Sequence, residues 1–256
     1  MAASIRIHPL PGVPEVRPGD DLAALLLGAL AGQDLRLASG DVIVVAQKVV
    51  SKAEGSRAAL PDVAPRPWAQ RWASQWSKDP RQVELVLRES CRVVRAERGI
   101  LVCETWHGFV CANAGVDLSN SGAPEVAVLL PEDPDRSARL LRQSILERTG
   151  CAVGVIVADS FGRPWRNGLT QAALGVAGVL PAADLRGQAD TEGRPMHVTV
   201  IAVADELASA ADLVCGKTAR IPAALIRGAP GVALTADPGS ASGKELLRPP
   251  EQDLFR

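Results

Sequence analysis

Apolar residues recur along the chain with two different periods, one typical of helices and the other typical of strands. Between positions 22 and 30, leucine and alanine follow the helical period, with Asp20 and Asp21 before them as N-cap residues and Gly32 after them. The run 41–46 is short, apolar and rich in β-branched residues. It predicts a central strand that is buried on both faces of a sheet.

The rest of the chain continues this alternation. Trp68, Trp72 and Trp76 are spaced four residues apart, which places them on one face of a helix, and packing in the core or against a subunit explains them better than ligand stacking. We predict helices over 80–97, 135–148 and 205–214, strands over 152–158 and 197–204, and a hairpin formed by 100–103 and 109–112. The chain is therefore expected to mix helices and strands.

The composition is that of a folded globular protein and limits the classes of partner. Hydrophobic residues make up 47% of the 256 residues, charged residues make up 22%, and the net charge is −1. These values argue against disorder and against a nucleic-acid-binding module, which needs clustered basic residues. They are compatible with a small ligand such as a nucleotide in a local basic pocket. A chain of this length needs no metal for stability, so we expect any metal to be functional.

Cysteine usage and the N-terminal region indicate a cytoplasmic protein with no membrane segment. The five cysteines are an odd number and include no CxxC pair, which fits a reducing compartment. Residues 1–10 lack the basic and apolar regions of an export signal. The apolar stretch 22–31 is interrupted by Gly28 and is too short to span a bilayer.

Three polar segments directly follow predicted strands, where α/β proteins place their sites. The first, residues 47–55, carries Lys52, whose ammonium could reach a nucleotide phosphate with Ser51 and neighbouring amides as further donors. The segment lacks the GxxxxGK[ST] pattern of a Walker A loop. Taken alone, Lys52 is more simply explained as a surface lysine on a turn.

The second polar segment, residues 113–120, is a compact glycine-containing turn with a carboxylate and two amides. Asp117 could bind Mg²⁺ or Mn²⁺, because these cations prefer carboxylate and carbonyl oxygens and leave positions open for phosphate. The alternative is an Asx-type turn in which Asp117 or Asn120 caps a helix. The sequence alone leaves both interpretations open.

The third polar segment, residues 159–171, is predicted to be a loop that begins where the strand 152–158 ends. Asp159 and Ser160 could bind a metal, while Arg163 and Arg166 could hold phosphate or carboxylate groups. An ion-paired loop is the alternative, but two arginines beside two potential metal ligands favour a polyanionic ligand. Asp205 opens a predicted helix, and helix capping is its expected role rather than metal binding.

Together, these segments resemble the coenzyme F420-0:L-glutamate ligase family. The agreement covers nearly the whole chain, and the order and spacing of its motifs are specific. The motifs are PGVPEVRPGDDL (Pro11 to Leu22), GDVIVVAQKVVSKAEG (Gly40 to Gly55), NAGVDLSN (Asn113 to Asn120), LLPEDPDRSA (Leu129 to Ala138), DSFGRPWRNG (Asp159 to Gly168) and AVADELASAADLVCGK (Ala202 to Lys217).

The resemblance implies an α+β fold with a mixed sheet, in which two interlocked lobes form one ligase unit over residues 1–256. It also implies a homodimer that binds the nucleotide near the subunit boundary. Some actinobacterial relatives carry a flavin-binding domain fused behind this unit, and we expect none here. The implied co-substrate is GTP, used with two divalent cations, Mg²⁺ or Mn²⁺, and with potassium as an assisting ion.

The resemblance also assigns site residues. The implied nucleotide contacts are Pro11, Gly12, Val13, Pro14, Gln47, Ser51, Lys52 and Asn120. The implied metal ligands are Asp117, Asp159 and Ser160. Two positions depart from the family pattern, since Gln47 stands where many relatives carry a small hydroxyl residue and Lys217 stands where archaeal relatives place an acidic metal ligand.

The implied reaction adds one or more L-glutamates to coenzyme F420-0 through an acyl phosphate and releases GDP and phosphate. Lys52 would supply positive charge, and Arg163 and Arg166 would orient the coenzyme or the glutamate. Two alternatives stay open. One is a GTP-dependent amino-acid ligase for a different carboxylate, and the other is a guanine-nucleotide-binding regulator without turnover, for which Lys217 is the sequence hint.

Overall fold

The computed structural model describes residues 4–229 and 241–254. In chain order the strands are β1 (Arg6–Pro9), β2 (Val42–Ala46), β3 (Arg57–Ala59), β4 (Ser90–Glu97), β5 (Ile100–Thr105), β6 (Val110–Ala112), β7 (Val126–Val128), β8 (Gly154–Arg163), β9 (Arg166–Ala177), β10 (Ala183–Asp184), β11 (Val200–Ile201) and β12 (Ala223–Arg227). The α-helices are α1 (Leu22–Ala31), α2 (Gln47–Glu54), α3 (Pro67–Trp76), α4 (Pro80–Arg88), α5 (Pro134–Thr149) and α6 (Val203–Cys215). The expectation of a mixed α+β chain is confirmed.

The main sheet has the strand order β1-β12-β2-β8-β9. Strands β2 and β8 are parallel, with Ala46 beside Ala158, and the other pairs are antiparallel. The predicted central position of β2 is therefore confirmed. Because β2 and β8 run in the same direction, the residues that follow Ala46 and Ala158 lie at the same edge of the sheet.

Helices cover both faces of this sheet because its strands are apolar on both sides. Val155 and Val157 of β8 face the core formed with α1 and α5, whereas Ile156 and Ala158 face α6. Asp21 caps α1 as predicted, since its side chain accepts the backbone N–H of Ala24. In the described ranges, no helix combines the length and apolar character needed to cross a bilayer.

A second core lies outside the main sheet. Trp72 of α3 packs there with residues of α4 and β5, including Leu85 and Leu101. Trp68 stacks on Trp72 with 6.2 Å between ring centroids, yet it remains 40% exposed. The predicted helix with a tryptophan face is confirmed, with Trp72 as its buried member.

Two predicted elements are wrong in part. The predicted helix 80–97 ends at Arg88, and Ser90–Glu97 is strand β4, which pairs with β5 through a turn at Arg98 and Gly99. Hydrogen bonding to β5 outweighs the helical pattern there. The predicted strand 197–204 is limited to β11, because Val203 already begins α6.

Two of the three polar segments are regular elements and not loops. Residues 47–54 form α2, which starts directly after β2 and ends at Gly55 in a left-handed conformation, φ 77°. Residues 159–171 belong to a long hairpin in which β8 continues through Asp159 to Arg163 before β9 returns. The expectation that β8 stops before Asp159 is wrong.

Asp135, near the N-terminus of α5, forms hydrogen bonds to β9 and to the segment beginning at residue 241. Its Oδ1 accepts the backbone N–H groups of Val176 and Gly243, each at 2.8 Å, and its Oδ2 accepts the hydroxyl of Ser242 at 2.5 Å.

Asp135→Ala should lower the free energy of unfolding by about 3 kcal/mol or more, because buried donors lose their acceptor. Urea unfolding measures this loss. The exposed Asp62→Ala should change stability by less than about 0.5 kcal/mol, and equal losses would contradict this role.

Candidate functional site

The candidate site lies at the edge of the main sheet where β2 passes into α2. Asp159 of β8 is there, because its neighbour Ala158 pairs with Ala46, the last residue of β2. Asp117 reaches the same edge from the segment that follows β6, where its backbone pairs with Val128 through hydrogen bonds of 3.0 and 2.8 Å. The fold thus gathers groups that are far apart in the sequence.

The carboxylate of Asp117 is fixed from two sides. Lys48 of α2 donates to its Oδ2 at 2.7 Å, and Ser119 donates its backbone N–H to Oδ1 at 2.7 Å and its hydroxyl to Oδ2 at 2.9 Å. Burial alone would raise the pKa of Asp117, but these hydrogen bonds outweigh burial and lower the pKa. The Asx-type turn is therefore present, and its carboxylate is also aimed at the site.

Asp159 is the second carboxylate of the site. Burial raises its pKa to about 6, against the backbone N–H of Ser160 and the positive charges of Lys217 and Lys48. The negative charge of Asp117 raises the pKa further, so the two carboxylates interact. Asp117 and Asp159 therefore belong to one site.

Ser160 projects from the other face of β8, because successive strand residues alternate. Its hydroxyl accepts a hydrogen bond from Gln171 at 2.8 Å and another from the ammonium of Lys217. Lys217 follows α6, and its charge also acts on Asp159. Lys217 thus brings a cation close to Asp159 and Ser160, and the metal-binding role of Ser160 stays a prediction.

Lys52 lies one helical turn after Lys48 and is buried, with only 5% of its side chain exposed. It forms an ion pair with Glu15, directly after residues 11–14. Gly122, two residues after Asn120, touches this pair, since a β-carbon there would stand 2.7 Å from Glu15 Oε1 and 3.6 Å from Lys52 Nζ. The alternative of a surface lysine on a turn is wrong, because Lys52 is buried on a helix. The roles of residues 11–14, Lys52 and Asn120 as nucleotide contacts stay predictions.

Gln47 and Ser51 are in a different situation from Lys52. Their side chains bond to each other at 2.7 Å, and the two residues are 1% and 0% exposed. A ligand can contact these side chains only after a rearrangement of α2. Their roles as nucleotide contacts stay predictions.

Arg163 and Arg166 pair at the tip of the β8–β9 hairpin and are exposed. Arg163 lies four positions after Asp159, a distance of roughly 13 Å along the strand. The structure therefore does not bring the arginines to the aspartates. Trp165 between them is 80% exposed, so the tip presents an aromatic ring and two guanidinium groups to solvent.

The sequence reasoning missed Lys48 and Ser119. The interpretation of residues 47–55 as a turn concealed Lys48, because the four-residue spacing of Lys48 and Lys52 puts both on one side only in a helix. Asp205 stands in the first turn of α6, as predicted, but its side chain does not cap the helix. Its carboxylate accepts the backbone N–H of Ala173 in β9 at 2.8 Å.

The residues of the site fit a hard divalent cation. Asp117 and Asp159 supply carboxylates, and Ser119 adds a carbonyl and a hydroxyl, which are oxygen donors of the type Mg²⁺ and Mn²⁺ prefer. The Lys48 ammonium already sits among three of these oxygens, which shows that the geometry accepts a cation. Within residues 4–229 and 241–254, no group of three or more His, Cys, Asp or Glu side chains is arranged so that it could hold a metal ion. Two carboxylates would leave coordination positions for substrate oxygens.

Comparison with known proteins gives a consistent result. Residues 12–228 match the family model described as F420-0:Gamma-glutamyl ligase. The chain is 44% identical over 254 residues to the coenzyme F420:L-glutamate ligase of Methanopyrus kandleri, covering 99% of this chain and 98% of the relative. It is 46% identical over 248 residues to the enzyme of the same name from Methanothermobacter thermautotrophicus, covering 96% of both chains.

Proposed function

The chain belongs to the F420-0:gamma-glutamyl ligase family, and we propose that it joins L-glutamate to the terminal carboxylate of coenzyme F420-0 at the expense of GTP. The observation that carries the proposal is the convergence of Asp117 and Asp159 with Lys48 and Lys217 at one sheet edge. The names of the family and of the relatives suggest the coenzyme and L-glutamate as substrates, and the use of GTP is part of the proposal. The charge arrangement supports phosphoryl transfer, which depends on positioning and electrostatics.

The proposed reaction has two steps. The coenzyme carboxylate attacks the γ-phosphorus of GTP, the bond to the β-phosphate oxygen breaks, and GDP leaves. The amine of glutamate then attacks the carbonyl of the acyl phosphate, loses a proton and displaces phosphate. Activation is required because an unmodified carboxylate would have to expel oxide.

Asp117 and Asp159 are the residues that would hold divalent cations, and Ser160 is the further ligand implied by the family. When bound, two such ions, Mg²⁺ or Mn²⁺, would neutralise triphosphate charge, and potassium would assist. The buried ammonium of Lys52 is placed to attract phosphate oxygens once they displace Glu15. The chain's own contribution is thus to orient the triphosphate and offset its charge.

The tip of the β8–β9 hairpin would bind anionic groups of the coenzyme or the glutamate and not the triphosphate. Arg163 and Arg166 lie too far from Asp159 to touch the same phosphate without bending, but they can hold an anionic group of the coenzyme or the glutamate. Residues 11–14 directly precede Glu15, the partner of Lys52, and Asn120 lies two residues before Gly122, so these residues would line the nucleotide. This assigns the nucleotide to the α2 side of the site and the acceptor to the hairpin side.

We also propose that the chain forms a homodimer. The sheet of β4, β5 and β6 and the turn between β5 and β6 expose large apolar side chains. Ile100 of β5 is 50% exposed and Trp106 of the turn is 70% exposed, and a partner subunit would cover them. Light scattering coupled to size-exclusion chromatography should give twice the mass of the 26.8 kDa chain. A monomer at micromolar concentration would contradict the dimer without affecting the proposed chemistry.

Product analysis tests the proposed function. The protein is incubated with coenzyme F420-0, GTP, L-glutamate and Mg²⁺ or Mn²⁺, and mass spectrometry should show the coenzyme heavier by one or more glutamyl residues. GDP and phosphate should appear in amounts equal to the amide bonds formed. Reactions that lack one component each are the controls.

The same assay separates the alternatives. Phosphate release with glutamate and a different carboxylate, but none with F420-0, would favour a ligase for another acceptor. Tight GTP binding without phosphate release under any combination would favour the regulator. GTP turnover that needs both glutamate and F420-0 excludes both alternative functions.

A further inference from the structure

The ammonium of Lys48 occupies an oxygen cage at Asp117. It lies 2.7 Å from Asp117 Oδ2, 2.9 Å from the carbonyl oxygen of Ser119 and 3.3 Å from the hydroxyl oxygen of Ser119. Its three donors thus have three acceptors. An ammonium held by a carboxylate, a carbonyl and a hydroxyl uses the donor set that a hard metal cation would use.

We propose that Lys48 is a tethered cation that fills the Asp117 site in the metal-free protein and must leave when a divalent ion binds. The inference rests on the proposed function only in taking Asp117 as a metal ligand. Lys48 would thereby lower the affinity of the metal-free protein for a divalent ion, because it competes for Asp117.

Competition follows from the geometry of the carboxylate. Ser119 holds Asp117 in place through its backbone N–H and its hydroxyl, so the carboxylate cannot turn to serve two cations. A divalent ion bound to Oδ2 would stand within a few ångströms of the ammonium, where like charges repel strongly in a partly buried site. The Lys48 side chain is 22% exposed, and its flexible stem lets it swing away without moving α2.

Lys217 provides a matched control. Its ammonium also acts on Asp159, but its hydrogen bond goes to Ser160 on the other face of β8. Removal of either lysine reduces the local positive charge by one, whereas only the removal of Lys48 empties the cage at Asp117. Lys52 is unsuitable as a control because it is placed among the nucleotide contacts.

Mn²⁺ titration without nucleotide or coenzyme tests the inference, with free Mn²⁺ read by electron paramagnetic resonance. Lys48→Met should lower the Kd for Mn²⁺ about tenfold or more, because no tethered cation competes for the Asp117 carboxylate. Lys217→Met frees only the neutral hydroxyl of Ser160 and no carboxylate, so it should lower the Kd less than about threefold. An unchanged or higher Kd in Lys48→Met, or an equal effect of the two substitutions, would overturn the inference. Ligase activity is not part of this readout, so the proposed function can fail or succeed independently.

A second measurement uses the unaltered protein and does not depend on the folding of the variants. Acetylation by a limiting amount of acetic anhydride is followed at Lys48 by peptide mass spectrometry. Saturating Mg²⁺ should raise the acetylation rate of Lys48 several-fold relative to Lys244, an exposed lysine far along the chain. A rate at Lys48 that does not respond to Mg²⁺ would show that the ammonium stays in place, contrary to the proposal.

Discussion

Asp159→Asn should reduce glutamate ligation about a hundredfold to a thousandfold while the fold is retained. The substitution keeps the size of the side chain but removes a charge that would hold a cation against the triphosphate, and loss of one such electrostatic contact typically costs two to three orders of magnitude in rate. Steady-state rates of GDP release at saturating substrates measure the effect.

Asp205→Asn is the matched control for this variant. Burial raises the pKa of Asp205 as it does that of Asp159, and both carboxylates lie beside the main sheet. Asp205, however, accepts the backbone N–H of Ala173, a bond that asparagine can also accept. We expect Asp205→Asn to keep activity within about threefold of the unaltered protein. Equal losses in the two variants would mean that Asp159 acts through the stability of the sheet.

The pH dependence of the free energy of unfolding tests the environment of Asp159 independently of activity. The pKa of Asp159 is raised from its ordinary 3.8 to about 6 in the folded state, so the folded state binds the proton more tightly than the unfolded chain. Ionisation of Asp159 therefore costs stability as the pH rises from about 4 to 6. In the presence of a chelator, Asp159→Asn should match the unaltered protein near pH 4 and exceed it at pH 7. Because the side chain is partly exposed, the gain at pH 7 should stay below about 3 kcal/mol. Identical stability of the two proteins at pH 7 would contradict the burial of this charge.

The local pattern of apolar residues predicts the helices and strands that pack in the main sheet layer. Helix α5 and strand β2 have strong periodicity and clear ends, and their positions agree with the sequence prediction to within two residues. Strand β4 was missed because its residues are mostly exposed and alternate weakly, so the pairing with β5 determines its conformation. Such long-range pairing is absent from a local pattern.

For the candidate site too, the sequence indicates the residue types but not their arrangement in space. Asp117 and Asp159 could be selected from residue type alone, but their interaction depends on the parallel pairing of β2 with β8 and on the backbone bridge between Asp117 and Val128. The contribution of Lys48 could not be seen, because it requires that residues 47–54 be a helix. Adjacency in the sequence predicts that Ser160 and Asp159 act together, whereas the alternation of a strand directs the two side chains to opposite faces.

Lys52→Met should lower kcat/KM for GTP by about a hundredfold, mainly through a higher KM. The ammonium of Lys52 is buried on α2 beside residues 11–14, and its partner Glu15 is 60% exposed and can move away when a triphosphate arrives. A charged donor to phosphate contributes to binding in both the ground state and the transition state, so KM is expected to carry most of the loss. Methionine fills a similar volume and leaves no buried charge on Lys52's side, which preserves the fold.

Glu15→Gln separates a phosphate contact from a purely structural ion pair. Glutamine keeps an oxygen that can accept from Lys52 but removes the competing negative charge, so GTP should bind as tightly as before or up to about threefold more tightly. If Lys52 served only to hold residues 11–15 against α2, Glu15→Gln and Lys52→Met would weaken GTP binding by similar factors. Equilibrium titration of GTP against both variants decides between these roles, because a phosphate contact predicts that only Lys52→Met raises the Kd, whereas a structural tie predicts that both variants raise it.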